Sequence, residues 1–463
     1  MARRRIAAIG SLAALAALLS GCPIPAPPDS QQLRTDALPN TKVPEQWRAG
    51  PSDPGDVVKG WLAQFGDPML EKLVAEAMAY NTDLRVAAAR VEAAEAAARA
   101  AGATLLPQVN ILAKGGGKMG GDGSGLNVAG LFASWELDLW GRVRSQRYAA
   151  TAQHEAAVLD LAYARNSIAA MVAKSWFLAR EATAQRAIAT EMVQSSQGLA
   201  GLARDRLRIG KGDEYDVVQA DASVLSYRDA ALQADRARGE ALRAVEILAG
   251  RYPGADVDAG MDLPRPPPIP VGLPSQLLER RPDVRAAERR VAAAYYNVVE
   301  ARAARLPRIA LTASVNTVSS ELFFMKERDN PVWSVGGNLL FPLFTGGALQ
   351  AQVDVRTAEQ KAAFAEFARV GSRAFGEVEN ALAASYNLDA RDETLAGAIA
   401  ANERGLGFSR VRLDVGSGDQ RAVLQQLLAL HGSRASHVHV RAERLIQRVN
   451  LHLALGGDYI AAP

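Results

Sequence analysis

The sequence predicts an α plus membrane β-barrel fold, built from a duplicated unit with one long helical hairpin and two strands in each copy. Three observations carry that prediction. The first is an internal repeat: "NTDLRVAAARVEAAEAAARAAGATLLPQVNI" (81–111) pairs with "RPDVRAAERRVAAAYYNVVEARAARLPRIAL" (281–311), placing Asp83 on Asp283, Arg85 on Arg285 and Leu106-Pro107 on Leu306-Pro307. Further along, "RLRIGKGDEYDVVQ" (206–219) pairs with "RLDVGSGDQRAVLQ" (412–425), so the copy extends through the unit. The second is proline placement: none falls between Pro107 and Pro253 or between Pro342 and Pro463, and both intervals are dense in strong helix formers. The third is a switch to period-2 alternation in two short runs of each copy, as strands require.

The N-terminus sets the compartment. Arg3, Arg4 and Arg5 precede an apolar run over 6–19, the length of a secretory h-region and too short to span a bilayer. The run ends in Leu-Ser-Gly-Cys, which resembles a bacterial lipobox, so residues 1–21 read as a signal peptide. By that resemblance Cys22 becomes the first mature residue and carries covalent diacylglyceryl and N-acyl (palmitate) lipid. At about 0.8 kcal/mol per buried CH₂, several chains anchor firmly. Pro23 follows, rather than the Asp associated with inner-membrane retention, which points to outer-membrane delivery. Residues 22–60, rich in Pro, Ser, Asp and Gly, read as a lipidated extended tether.

The first repeat covers 61–255, with strands about 107–140 and hairpin helices about 142–249. A Pro-rich linker spans 256–273. The second repeat covers 274–458, with strands about 307–344 and helices about 347–455, and 459–463 form a short tail. Each descending helix can run about 68 residues, or about 100 Å, so it needs a partner along its length. Gly210 and Gly416 suit the left-handed position that closes a helix, and Asp213 and Asp419 can cap the next one. Each hairpin tip is therefore tight.

In "RIALTASVN" (308–316) and "WSVGGNLLF" (333–341) apolar and polar residues alternate, and 108–114 and 127–135 are weaker copies. Runs of this length cross an outer membrane when tilted. One such hairpin alone could be a soluble, half-buried element; two at duplicated positions in an exported lipoprotein point to the bilayer. Lipid-facing backbone must close on itself, and four strands cannot close a barrel, so several chains must share one. Strand count alone allows a dimer with eight strands or a trimer with 12.

"FGDPMLEKLVAEAMAYNTDL" (65–84), "SWELDLWGRVR" (134–144), "GLPSQLLERRPDVRAAE" (272–288), "NLLFPLFTGG" (338–347) and "FGEVENALAA" (375–384) together resemble the outer membrane factors of tripartite RND-type efflux systems. The nearest branch is the lipoprotein group related to TolC and the NodT-like proteins. The resemblance implies a homotrimer with a 12-stranded barrel and a 12-helix periplasmic tunnel, a passive exit duct for drugs or other small molecules. It also implies a periplasmic adaptor and an inner-membrane RND-type transporter as partners. The adaptor-docking tips map onto 206–218 and 412–423, with Arg206, Gly210, Gly212, Arg412, Gly416 and Gly418 in them. Family members narrow the periplasmic end with acidic rings; Asp414 and Asp419 are the gate candidates here, although the usual acidic position is Gly418. Asp419 serves equally as a helix N-cap. A duct for type I protein or peptide secretion, and a periplasmic scaffold whose strands form soluble hairpins, stay open as alternatives.

Other signals are set aside. Net charge is +3 on 53 basic and 50 acidic residues, which argues against nucleic acid as a partner. With one cysteine no intrachain disulfide forms. "GGGKMGGDGSG" (115–125) lacks the Ser or Thr after Lys118 that a phosphate loop needs, and reads as a barrel loop. "LLERRPDVRAAERR" (277–290) reads as a solvated helix start, with Pro282 at the first position and Asp283 on the dipole. His437 and His439 are two apart and face different ways, so no metal site is expected. No catalytic constellation is found, and no cofactor is expected.

Overall fold

The computed structural model describes residues 23–49, 55, 57, 59–114, 124–268, 270–321 and 332–460. Cys22 and most of the glycine-rich loop at 115–125 lie outside the described residues. The elements run α1 (Ser30–Ala37), a 3-10 turn (Trp61–Phe65), α2 (Pro68–Tyr80), α3 (Thr82–Ala103), β1 (Gln108–Lys114), β2 (Ser124–Leu137), α4 (Arg142–Arg208) and α5 (Glu214–Leu248). The second half continues with α6 (Leu277–Arg280), α7 (Pro282–Ala303), β3 (Arg308–Glu321), β4 (Val332–Leu340), α8 (Ala348–Asp414) and α9 (Gln420–Ala454). Both α4 and α8 are 67 residues long, and both α5 and α9 are 35. Hence the two copies keep the same dimensions.

The chain divides into two units, one holding 88–160 and 283–370, the other 161–282 and 371–463, with the N-terminal segment shared between them. The first unit contains the sheet, an antiparallel arrangement in the order β1-β2-β3-β4. The second contains the main core, where Trp61, Leu70, Leu73, Trp176, Phe177, Leu242 and Leu445 are buried together.

A carboxylate organises that core. Asp67 caps α2 by accepting from the backbone N–H groups of Met69 and Leu70, and it also accepts from Trp176 Nε1 at 2.7 Å. Arg180 Nη2 lies 3.1 Å from Asp67, and its guanidinium sits 5.0 Å from the Trp176 ring centroid. Four donors thus satisfy one buried carboxylate, as burial of a charge demands.

Three sequence expectations change. Residues 23–49 are docked rather than an extended tether: within the first unit Ile24 packs over Gly141, Ser30 donates to Glu288 and Leu33 is buried. Within the second unit, Trp47 Nε1 donates to the carbonyl of Gly272 and its ring lies against Phe375. The Pro-rich stretch 256–273 is likewise packed. Val257, Ala259, Leu263 and Val271 are buried, while Glu246 accepts from the N–H groups of Ala255, Asp256 and Val257. Arg180 donates to the carbonyls of Ala259 and Asp262.

The third change concerns 277–290. Arg281 is not solvated: it is 1 % exposed, and Nη1 donates to Glu377 at 2.7 Å and to the carbonyl of Ala454 at 3.0 Å. Its counterpart Asn81 caps α3 through the N–H groups of Asp83 and Leu84, and donates to the carbonyl of Leu248 at 3.0 Å. Leu248 ends α5 as Ala454 ends α9, so each repeat latches the start of one helix to the end of another.

His452 makes the core sensitive to acid. It is fully buried, stacks on Trp61 at 5.5 Å between centroids, and neither ring nitrogen has a hydrogen-bond partner among the described residues. Burial, with a smaller push from Arg448, lowers its pKa from 6.5 to about 3. The unfolded imidazole takes a proton below about 6.5 while the folded one stays neutral, so stability falls as pH drops from there towards 3. The expected slope is up to about 1.4 kcal/mol per pH unit. Thermal unfolding in detergent across this range checks it: His452→Phe should flatten the dependence, and an unchanged slope would assign it to other groups.

Candidate functional site: an apolar-faced open sheet and paired helical tips

Register decides what the sheet can face. Pairing aligns Ile111 with Leu131, Leu131 with Val315 and Val315 with Trp333; two residues along, Ala133, Ala313 and Val335 form the next row. Trp135, Leu311 and Gly337 follow, then Leu137, Ile309 and Leu339. Because side chains alternate across a strand, these rows share one face, and it is apolar from edge to edge. Val335 is 90 % exposed, Ile111 81 % and Trp333 74 %. The opposite face carries Asn110, Ser134, Thr312, Ser314, Ser334 and Asn338, and Ser314 and Ser334 share a 2.7 Å hydrogen bond across β3 and β4. Among the described residues β1 and β4 each pair on one side only, so both edges offer free backbone groups.

At the helical end of the sheet the strands hand over to helices through fixed contacts. Asp138 accepts from the N–H groups of Val143 and Arg144, and Arg142 makes a two-point contact with Glu136. Trp135 Nε1 donates to the Leu105 carbonyl and Trp140 Nε1 to that of Pro307. Indoles tied at a strand end, with Phe341 and Phe344 exposed nearby in sequence, form the aromatic border expected of a membrane band.

The tips, in the other unit, are built alike. Gly210 (φ 71°) and Gly416 (φ 74°) are left-handed, and the N–H groups of Lys211 and Ser417 return to the carbonyls of Arg206 and Arg412. Asp213 and Asp419 cap α5 and α9 by accepting from Asp216 N–H and Arg421 N–H. Gly418 has a separate reason: a Cβ there would lie 2.8 Å from the carbonyl carbon of Arg412 and from Leu413 N. That close approach explains why an acidic residue does not occupy this position. Gly212 is packed less tightly, on Arg206.

The structure brings together Arg206 and Asp419, whose Nη1 and Oδ2 are 2.8 Å apart, joining the two tips of one chain. Asp414 is the exposed last residue of α8 and makes no ion pair among the described residues. Asp67, Arg281 and His452 had no sequence signal for their burial. Among the described residues no group of three His, Cys, Asp or Glu is placed to hold a metal ion. Substituting Gly418 with Ala should distort the tip and cut export severalfold while leaving native mass unchanged. Export assays in a strain carrying the cognate pump would read this, and normal export would remove that tip from docking.

An open sheet with one lipid-compatible face, together with paired helices of about 100 Å, defines one chain's share of an outer-membrane channel. The family model described as "Outer membrane efflux protein" matches residues 73–251 and 273–457. The chain is 31% identical over 469 aligned residues to the pyoverdine export outer membrane protein OpmQ of Pseudomonas aeruginosa, covering 97% of this chain and 96% of that one. It is 30% identical to the toluene efflux pump outer membrane protein TtgF of Pseudomonas putida, covering 96% of each. The solved outer-membrane channel OprN superposes with a TM-score of 0.82 at 27% identity, over 94% of this chain and 99% of that one. The chain belongs to the outer membrane efflux protein family, and it is the outer-membrane channel component of a tripartite efflux system.

Proposed function

We propose that three copies close one 12-stranded barrel and a 12-helix tunnel, forming a passive exit duct for small molecules. The observation that carries this is the edge-to-edge apolar face with two open edges. Four strands leave backbone groups unpaired in lipid, and identical neighbours satisfy them. Relatives named for pyoverdine and toluene support small organic cargo. A periplasmic adaptor would dock on the tips at 206–218 and 412–423, receiving cargo from an inner-membrane RND-type transporter. Asp414 and Asp419 are the gate candidates in this reading, and Asp419 is ion-paired to Arg206 of the other tip. Cys22 would carry the lipid that tethers each chain beside the barrel.

Native mass and planar-bilayer conductance of the purified protein test this together. A trimer with stable unitary conductance is expected. A monomer without conductance would overturn the proposal. Cys22→Ser should lose incorporation of labelled palmitate while pore conductance persists; retained labelling would refute acylation at that residue.

A further inference from the structure

A cavity of about 270 Å³ lies between α8, α9 and the proline-bounded segment at 264–266. Arg265, Arg441, Arg444 and His437 line it, and among the described residues Asp392 is the carboxylate in the lining. That carboxylate is already consumed: His437 Nε2 lies 2.9 Å from Oδ1 and Arg444 Nη1 2.5 Å from Oδ2. Arg444 also binds Asp389 at 2.8 Å, so its own charge is met. Arg441 donates to the carbonyl of Leu263, a neutral acceptor, and makes no ion pair among the described residues. Arg265 has no hydrogen bond or ion pair among the described residues, and Pro264 and Pro266 on either side fix the backbone that presents it. The lining therefore holds two guanidiniums without an ion pair among the described residues, and its carboxylate, Asp392, is already engaged.

We propose that this cavity binds a small oxyanion, a carboxylate or a phosphate group, between Arg441 and Arg265. Guanidinium forks match both groups geometrically, and charge-assisted bonds of this kind are the stronger ones. The Asp392–Arg444–His437 network forms a hydrogen-bonded wall of the same cavity. This inference does not depend on how many copies close the barrel.

Isothermal titration of the purified full-length protein in detergent tests it, using inorganic phosphate and acetate as probes at constant ionic strength set by sodium chloride. Saturable binding of at least one probe is expected, about tenfold or more weaker in Arg265→Met and in Arg441→Met. Arg404→Met, an exposed site on α8 away from this lining, should bind as the wild type does. Stronger phosphate binding would point to phosphate esters, and stronger acetate binding to carboxylates. Arg265→Met carries the test if Arg441→Met fails to fold, since Arg265 is exposed and holds nothing else. No saturable heat with either probe, or equal binding by wild type and Arg265→Met, would overturn the proposal.

Discussion

Val335→Arg should abolish stable assembly in the outer membrane, whereas Asn338→Arg, three residues further along β4, should be tolerated. Val335 lies in the apolar rows at 90 % exposure, paired with Ala313, and Asn338 lies on the opposite, more polar face, paired with Ala310. An arginine on the lipid side of a barrel costs about 2–4 kcal/mol near the midplane, while lumen substitutions mainly tune selectivity. In a trimer the penalty is met three times in one barrel, about 6–12 kcal/mol, comparable to the whole stability of most domains. The readout is the fraction recovered in urea-washed membranes, with native mass of the detergent extract. If Val335→Arg inserted normally and Asn338→Arg did not, the faces would be assigned backwards. If neither had an effect, the sheet would not be in the bilayer.

Much of this arrangement is legible in the sequence because it is written in local rules. The helix α4 ends at Arg208 and α8 at Asp414, each two residues before the glycine expected to close it, since that glycine and the aspartate that starts the next helix act within a few positions. Strand alternation reads equally well, and the aligned apolar rows follow from one register. The failures come where composition misleads. Residues 23–49 and 256–273 are rich in proline and polar groups, yet single long-range contacts such as Trp47 to Gly272 and Arg180 to Ala259 hold them down. Nothing within a window of ten residues reports such partners. Asp419 shows the same limit at the tips. Its capping role is local and readable, while its ion pair to Arg206 joins residues 213 positions apart.

Arg281 is the sharpest case of that limit, and it supports the second large prediction. "ERRPD" looks like exposed charge because its neighbours are polar, but the duplicated copy has Asn81 at the same place, and an uncharged residue there serves the same latch. Both side chains satisfy a carbonyl at the end of an ascending helix, one of the orphan acceptors that every helix end leaves. In the second copy the donor is a cation at the negative end of α9, which adds a favourable dipole interaction. Arg281→Ala should therefore remove two charge-assisted bonds and open a cavity, destabilising the fold by about 3–5 kcal/mol. Asn81→Ala loses a neutral cap and one bond, and should cost about 1–2 kcal/mol. Glu377→Gln tests the division: Glu377 is 40 % exposed, so neutralising it should cost under about 1 kcal/mol if the Ala454 carbonyl and burial dominate. Thermal unfolding of the three variants in one detergent gives the ranking. If Glu377→Gln fell as far as Arg281→Ala, the ion pair rather than the helix latch would be what Arg281 supplies.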